Sequence, residues 1–203
     1  YQLPRSSKHG HFRTTLTISE SVVMNHSKDG ILKFKAIDDR NFQGTVHLVP
    51  PTGVSIISDI DDTIKDTNYL DKKAFLRNTF LNEFKAVPGM SNTFQEWKSG
   101  YDNCCFHFVS ASPYQLFEEL NDFFQRETFP DATYHLKTVR PKDQSIFQLF
   151  ACPMNYKRKH IERLFKQFPN RTFHLIGDSG EKDPEIYAEI FKNFPSQVDK
   201  IWI

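Results

Sequence analysis

Three short strand-like runs constrain this chain more than any other feature, because each stops at hydroxyl or acidic residues. Val54, Ile56 and Ile57 lead into Ser58 and Asp59; Phe106 to Val109 lead into Ser110; Thr172 to Ile176 lead into Gly177 and Asp178. Apolar runs of that length suit strands buried on both faces. Segments with helical spacing separate them: Phe75, Leu76, Phe80, Phe84 and Val87, then Tyr114 to Phe124, then the basic Tyr156 to Phe168. Asp183-Pro184 starts another helix, to about Phe194, and Val198 to Ile203 reads as a last strand. This alternation predicts an α/β fold, a parallel doubly wound sheet with helices on both faces. Pro88-Gly89 is expected to end the first helix. Residues 130–155, with several prolines, are expected to be irregular.

The first fifty residues have another texture. Residues 1–10 read as a flexible arm, and 12–49 as β structure. Candidate strands are Phe12 to Ile18, Ile31 to Ile37 after the Asp29-Gly30 turn, and Thr45 to Val49. Pro50-Pro51-Thr52-Gly53 closes the segment. So short a stretch buries little apolar surface by itself. Residues 1–50 are therefore expected to be a partial β-sandwich or a packed appendage, ahead of one domain over 51–203. Lys plus Arg is 26 and Asp plus Glu 25, a net charge of +1, which argues against a nucleic-acid coat. No apolar stretch approaches the ~18–20 residues of a membrane span. Of three Cys, Cys104 and Cys105 are adjacent, and neither zinc spacing nor a disulfide framework is readable. Reduced, buried thiols and a cytoplasmic setting are expected.

The polar residues gather where the strands end, and in such sheets ligands bind beyond the carboxyl ends of the strands. Asp59-Ile60-Asp61-Asp62-Thr63 follows the first strand, Ser110 the second, and Gly177-Asp178-Ser179-Gly180 with Asp183 the third, while Lys157 starts the basic helix. Acidic strand ends converging on one edge repel one another unless a cation sits between them. Carboxylates without Cys or well-placed His suit a hard ion such as Mg²⁺. A hydroxyl, a lysine and backbone N–H groups beside such an ion handle phosphate. Asp59 and Asp61 would face opposite sides of a continuous strand. If the strand stops at Asp59 and the chain turns, both reach the pocket, one as nucleophile and one for protons. The plainer alternative is an acidic cluster that only favours a helix N-terminus.

Those segments, in that order, resemble the four motifs of the haloacid dehalogenase-like (HAD-like) phosphohydrolases. A narrower resemblance, over about residues 44–203, is to the catalytic domain of the actin-patch phosphatidate phosphatases. It rests on Gly53-Val54-Ser55-Ile56-Ile57-Ser58-Asp59-Ile60-Asp61-Asp62-Thr63-Ile64-Lys65, on Val109-Ser110-Ala111-Ser112-Pro113, and on the stretch from Leu175 to Tyr187. Ala111 stands where that family often has Asn, and Leu136-Lys137 where it often has Leu-Arg. The resemblance implies a HAD-like Rossmannoid three-layer α/β/α parallel sheet with small inserts, preceded by a small β segment. It implies a Mg²⁺-dependent phosphatidate phosphatase that releases diacylglycerol and phosphate through an aspartyl-phosphate. Asp59 would be the nucleophile and Asp61 the acid and base. Thr63, Ser110 and Lys157 would bind the phosphoryl group. Asp59, the main-chain carbonyl of Asp61, and Asp178 would hold Mg²⁺, with Asp183 as an acid of the outer shell. The partner would be phosphatidate or another anionic phospholipid, met peripherally at a membrane surface. The competing functions are the same chemistry on a phosphoprotein, lysolipid or soluble metabolite, and a non-catalytic lipid- or protein-binding module.

Weaker signals have plain readings. Cys152 and Arg158 fit the C-x₅-R spacing of cysteine phosphatases, yet the intervening residues lack the glycines of a phosphate cradle. Residues 140–171 carry eight Lys or Arg (140, 142, 157, 158, 159, 163, 166, 171) against Asp143 and Glu162. That is either a solvated helix face or an electropositive rim. Asp62 is read as a cap of the following helix or as a residue without a role, and His107 as a satisfied core residue. Phe is conspicuous at 20 residues, against 3 Met and 2 Trp. Phe106, Phe108, Phe123, Phe165 and Phe173 are expected in the core, whereas Phe75, Phe80, Phe84, Phe147 and Phe150 could face lipid.

Overall fold

The computed structural model describes residues 3–6, 12, 14–37, 43–67, 77–78, 82–138 and 154–203. The chain divides into two compact units, Tyr1–Val49 and Pro50–Ile203.

In the first unit, helix α1 (Glu20–His26) precedes an antiparallel sheet of β1 (Ser27–Lys28), β2 (Ile31–Lys35) and β3 (Gln43–His47), in that order. Asp29 (φ 53°) and Gly30 (φ 76°) make the β1–β2 turn, a left-handed pair suited to a tight hairpin. Phe34 pairs with Gly44 across the ladder, and its ring occupies the space a side chain at 44 would need. The expected strand from Phe12 to Ile18 is not formed over 14–18, and the two-residue β1 takes the third place in the sheet. Its alternation is only partial and Leu16 stays exposed, so no buried face drives pairing. Helix α1 was not anticipated; Glu20 in its first turn and His26 in its last complement the helix dipole.

The second unit is built on a five-stranded parallel sheet of order β6-β5-β4-β7-β8. Its strands are β4 (Gly53–Ser58), β5 (Cys105–Pro113), β6 (Ala132–Lys137), β7 (Arg171–Ile176) and β8 (Val198–Trp202). Helices α2 (Met90–Gly100), α3 (Phe117–Arg126), α4 (Met154–Gln167) and α5 (Asp183–Asn193) cover it. Successive strand residues point to opposite faces, so Ile56 and Ile57 enter different cores. Ile56, Phe106 and Phe108 pack with Phe94, Leu120, Phe123 and Phe124 of α2 and α3. Ile57, Val109 and Leu175 pack with Ile161, Phe165, Ile186 and Ile190 of α4 and α5. This is the three-layer α/β architecture expected from the strand–helix alternation.

Two local readings are corrected. Pro88-Gly89 starts a helix: Gly89, at φ 86°, is the N-cap of α2. The helix expected over 75–87 lies largely outside the described residues, and its end at 82–87 is not helical; Ala86 instead bridges antiparallel to Lys65. The second correction is β6, within a stretch expected to be irregular. It is an edge strand beside β5, and its Ala132, Tyr134 and Leu136 alternate with Thr133, His135 and Lys137, a period-two signal that the surrounding prolines outweigh in the sequence. Residues 139–153 of that stretch lie outside the described residues. Among the described residues, much of the Phe packs on the α2–α3 face. The Phe94 ring lies 5.3 Å from Phe106 and 5.5 Å from Phe129, and Phe108 stacks on Phe124 at 4.3 Å. Phe84 is buried against Phe123; Phe75, Phe80, Phe147 and Phe150 lie outside the described residues.

Candidate active site

Strand β4 ends at Ser58, and the Asp59 amide still donates to the carbonyl of Ile176 on β7 (2.9 Å). The chain then folds into a tight turn. The amides of Ile64 and Lys65 both donate to the Ile60 carbonyl (2.9 Å each), and the Asp62 amide donates back to the Lys65 carbonyl (2.8 Å). Asp62 takes φ 54°, and its carboxylate accepts the Thr67 amide at 2.8 Å. Asp62 thus closes the turn, and among the described residues that follow it, 63–67, no α-helix begins. The turn breaks strand alternation, so both Asp59 (1% exposed) and Asp61 (6%) are buried.

Lys157, on the first turn of α4, gathers the acids around Asp59. Its Nζ lies 3.2 Å from Asp59 Oδ1, 2.8 Å from Glu181 Oε2 and 2.7 Å from Asp183 Oδ1. Asp178 accepts the amides of Gly180 (2.6 Å) and Glu181 (2.9 Å) through Oδ1. One carboxylate oxygen from each of Asp59, Asp178 and Asp183 lies within 4.8 Å of the others. The Oδ2 atoms of all three are buried without a hydrogen-bond partner. Buried carboxylate oxygens left unpaired are costly, and an all-oxygen set suits a hard divalent cation. The residues therefore fit Mg²⁺. Burial pushes the Asp59 carboxyl well up; Lys157 opposes this, and Asp183, Glu181 and Asp61 add to it. Burial likewise raises Glu181 to about 6, against Lys157. Burial disfavours the Lys157 cation, but Asp59, Asp183 and Glu181 outweigh it and keep Lys157 charged far above its usual range. One ammonium thus faces more negative charge than it neutralises.

Asp61 has a separate set of partners. Oδ1 pairs with Lys65 Nζ (2.8 Å) and accepts the Thr67 hydroxyl (2.8 Å). Oδ2 accepts the hydroxyls of Ser112 (2.6 Å) and Ser110 (3.4 Å). Burial pushes its carboxyl up, but the Lys65 charge and hydrogen bonds from Lys65, Ser112 and Thr67 together hold it below the usual range. The Asp61 carboxylate is thus placed with the two serines rather than with the Asp59–Asp178–Asp183 cluster. Thr63 brings a buried hydroxyl that has no hydrogen-bond partner. The Ser110 hydroxyl also accepts the Ser112 amide at 2.9 Å.

Lys65, Thr67, Ser112 and Glu181 were not singled out from sequence. The period of two places Ser112 on the same strand face as Ser110, and Lys65 lies four residues after Asp61, so both signals were present. Other readings resolve simply. His107 is a core residue bonded to Thr133 (2.7 Å) and Ser55 (3.2 Å). Arg158 pairs with Glu189 at 3.0 Å, and Cys152 lies outside the described residues. Lys157 and Arg171 are buried, so these two cations of the basic stretch form no rim. Cys104 is a buried thiol, which desolvation raises to about 11. Among the described residues, no helix is long and apolar enough to cross a membrane.

The family model for Phosphatidate phosphatase APP1, catalytic domain, matches residues 54–203. An uncharacterized protein of Schizosaccharomyces pombe is 29% identical over 191 residues, which is 92% of this chain and 30% of that protein. Phosphatidate phosphatase APP1 of Saccharomyces cerevisiae is 34% identical over 158 residues, 76% of this chain and 26% of that protein. The chain therefore spans less than a third of the length of either curated relative.

Proposed function

The chain belongs to the family of the phosphatidate phosphatase APP1 catalytic domain, and we therefore propose that it hydrolyses phosphatidate to diacylglycerol and phosphate. The observation that carries this reading is the meeting of the Asp59, Asp178 and Asp183 carboxylates at the carboxyl ends of β4 and β7, with buried Lys157 paired to Asp59 and Asp183. Asp59 attacks phosphorus as the bond to the glycerol oxygen breaks, and Asp61 gives that oxygen its proton. Asp61 then takes a proton from the water that attacks the aspartyl-phosphate, releasing phosphate and restoring Asp59. Lys157 offsets the charge on nucleophile and phosphate, while Thr63 and Ser110 bond the phosphoryl oxygens. Asp59, Asp178 and the main-chain carbonyl of Asp61 would hold Mg²⁺, with Asp183 fixed beside them by Lys157. The ion, when bound, supplies positive charge to the transferring group.

A lipid-borne substrate suits the residues just past Ser112. Tyr114, two residues after Ser112, is 50% exposed and stacks on Phe117 (5.9 Å, 7°), and this exposed aromatic pair supports the reading of peripheral contact with a phospholipid surface. The test is phosphate release from phosphatidate in mixed micelles, with and without Mg²⁺, alongside Asp59→Asn. We expect release that requires Mg²⁺, and a loss of roughly 10⁴-fold or more in a variant that still melts cooperatively. Faster turnover of soluble phosphate esters than of phosphatidate would overturn the substrate. Retained activity in Asp59→Asn would overturn the nucleophile.

A further inference from the structure

A lysine ammonium carries three N–H groups, and two of those on Lys157 have defined acceptors. One is donated to Glu181 Oε2 (2.8 Å) and one to Asp183 Oδ1 (2.7 Å). Asp59 Oδ1 is farther off, at 3.2 Å, and that contact lacks hydrogen-bond geometry: among the described residues neither Asp59 oxygen has a hydrogen-bond partner. Hydrogen bonds between ions are short and strong, so two of them fix the rotation of the ammonium about its Cε–Nζ bond. Lys157 thus lends Asp59 its charge while two of its hydrogens are turned to other acids. Glu181 is placed for this by its loop. Its amide and that of Gly180 donate to Asp178 Oδ1 (2.9 and 2.6 Å), which pins the backbone, and its side chain, 9% exposed, reaches Lys157 from the loop before α5. With Asp183 as the one acceptor, the ammonium could swing a hydrogen onto Asp59 Oδ1.

We propose that Glu181 is a positioning residue for the nucleophile: by taking one N–H of Lys157 it keeps both oxygens of Asp59 open, one for Mg²⁺ and one for phosphorus. The inference rests on the Mg²⁺-dependent phosphatase reading above and deepens it. A carboxylate that serves as ligand and nucleophile at once needs lone pairs on both oxygens, and a hydrogen bond from Lys157 would occupy one of them. Glu181 acts through Lys157, so what matters is an acceptor at its position, more than its charge. A residue that merely stabilised the loop would leave the Mg²⁺ affinity of the folded protein unchanged. One that merely added negative charge would make every neutral replacement equally harmful.

The experiment titrates Mg²⁺ into the substrate-free full chain by calorimetry, with thermal melting and phosphate release from dioctanoyl phosphatidate alongside. Glu181→Ala is expected to bind Mg²⁺ ~30-fold more weakly than the parent, and Glu181→Gln, which keeps an acceptor for Lys157, within ~5-fold of it. Glu181→Asp keeps the charge but is one methylene too short to reach Lys157. It should lose ~10-fold, and it carries the test if Glu181→Ala fails to fold. Equal losses in the Gln and Ala variants, an Asp variant that matches the parent, or no loss in a folded Ala variant would each overturn the positioning role. If the parent and variants bind Mg²⁺ in the expected order but the parent releases no phosphate from phosphatidate, the substrate reading fails and the affinities still support the inference. No Mg²⁺ binding by the parent would overturn the metal site, and the inference with it.

Discussion

Gly177 shows how narrowly the site is fitted. A methyl group there would collide with the Asp183 carboxylate, which lies against the glycine backbone and is held by Lys157 at 2.7 Å. Gly177→Ala is therefore expected to push Asp183 off Lys157. Displacements of about 1 Å near reacting groups cost on the order of 100-fold in rate. A kcat loss of that size with a small change in melting temperature would bear this out, and unchanged kcat would refute it. Asp59, Asp61, Ser110 and Asp178 stand out in the sequence because strand ends mark them, and Lys157 and Asp183 because they stand at the start of helices. How they divide does not. Whether Asp61 turns to Lys65 and the serines or to the acidic cluster depends on a turn with Asp62 at φ 54°, and Asp tolerates that conformation without requiring it, so its sequence signal is weak.

Elements supply the frame, and one buried side chain ties several together. Arg171, at the start of β7, donates to the carbonyls of Pro50 (2.8 Å), Thr52 (2.7 Å), Val54 (2.6 Å) and Asn103 (2.7 Å) and to the Ser55 hydroxyl (2.7 Å). It thereby binds the entry of β4 and the approach to β5 to β7 at the end of the sheet away from the acids. Arg171→Met would leave several buried acceptors unpaired, for a loss of about 3–5 kcal/mol. A drop in the urea midpoint measures it; a drop below about 1 kcal/mol would contradict the clamp. The central strands β4, β5 and β7 were legible because burial on both faces gives runs that are mostly apolar, broken by the buried Ser55, His107 and His174. β6 and α2 were missed: the apolar–polar alternation of Ala132 to Lys137 was present but stood in a stretch flanked by Pro130 and Pro141, and the Pro-Gly pair that opens α2 also marks helix ends.

For the molecule as a whole, pH enters through groups buried in unlike ways. Desolvation holds the His174 imidazole below its usual 6.5, against its hydrogen bond and ion pair with Asp199 (3.0 Å). The unfolded chain thus takes this proton first. The contribution to stability is complete above about 6.5 and is lost as pH falls through the lower folded value. Glu181, raised to about 6, acts in the opposite sense, because the folded protein protonates it first. Comparing the parent with His174→Gln isolates the histidine. Between about pH 7.5 and 5.5 the parent should lose more urea resistance than the variant, and parallel curves would rule the effect out.

The Arg171 clamp also bears on where the smallest folding piece begins. The family match starts at residue 54, yet Arg171 reaches the carbonyls of Pro50 and Thr52, which precede it. The boundary drawn by sequence similarity therefore falls inside a hydrogen-bonded knot, and a fragment cut at Val54 would carry a buried guanidinium stripped of two of its acceptors. The physical edge of the catalytic unit lies at Pro50, where the compact unit itself starts.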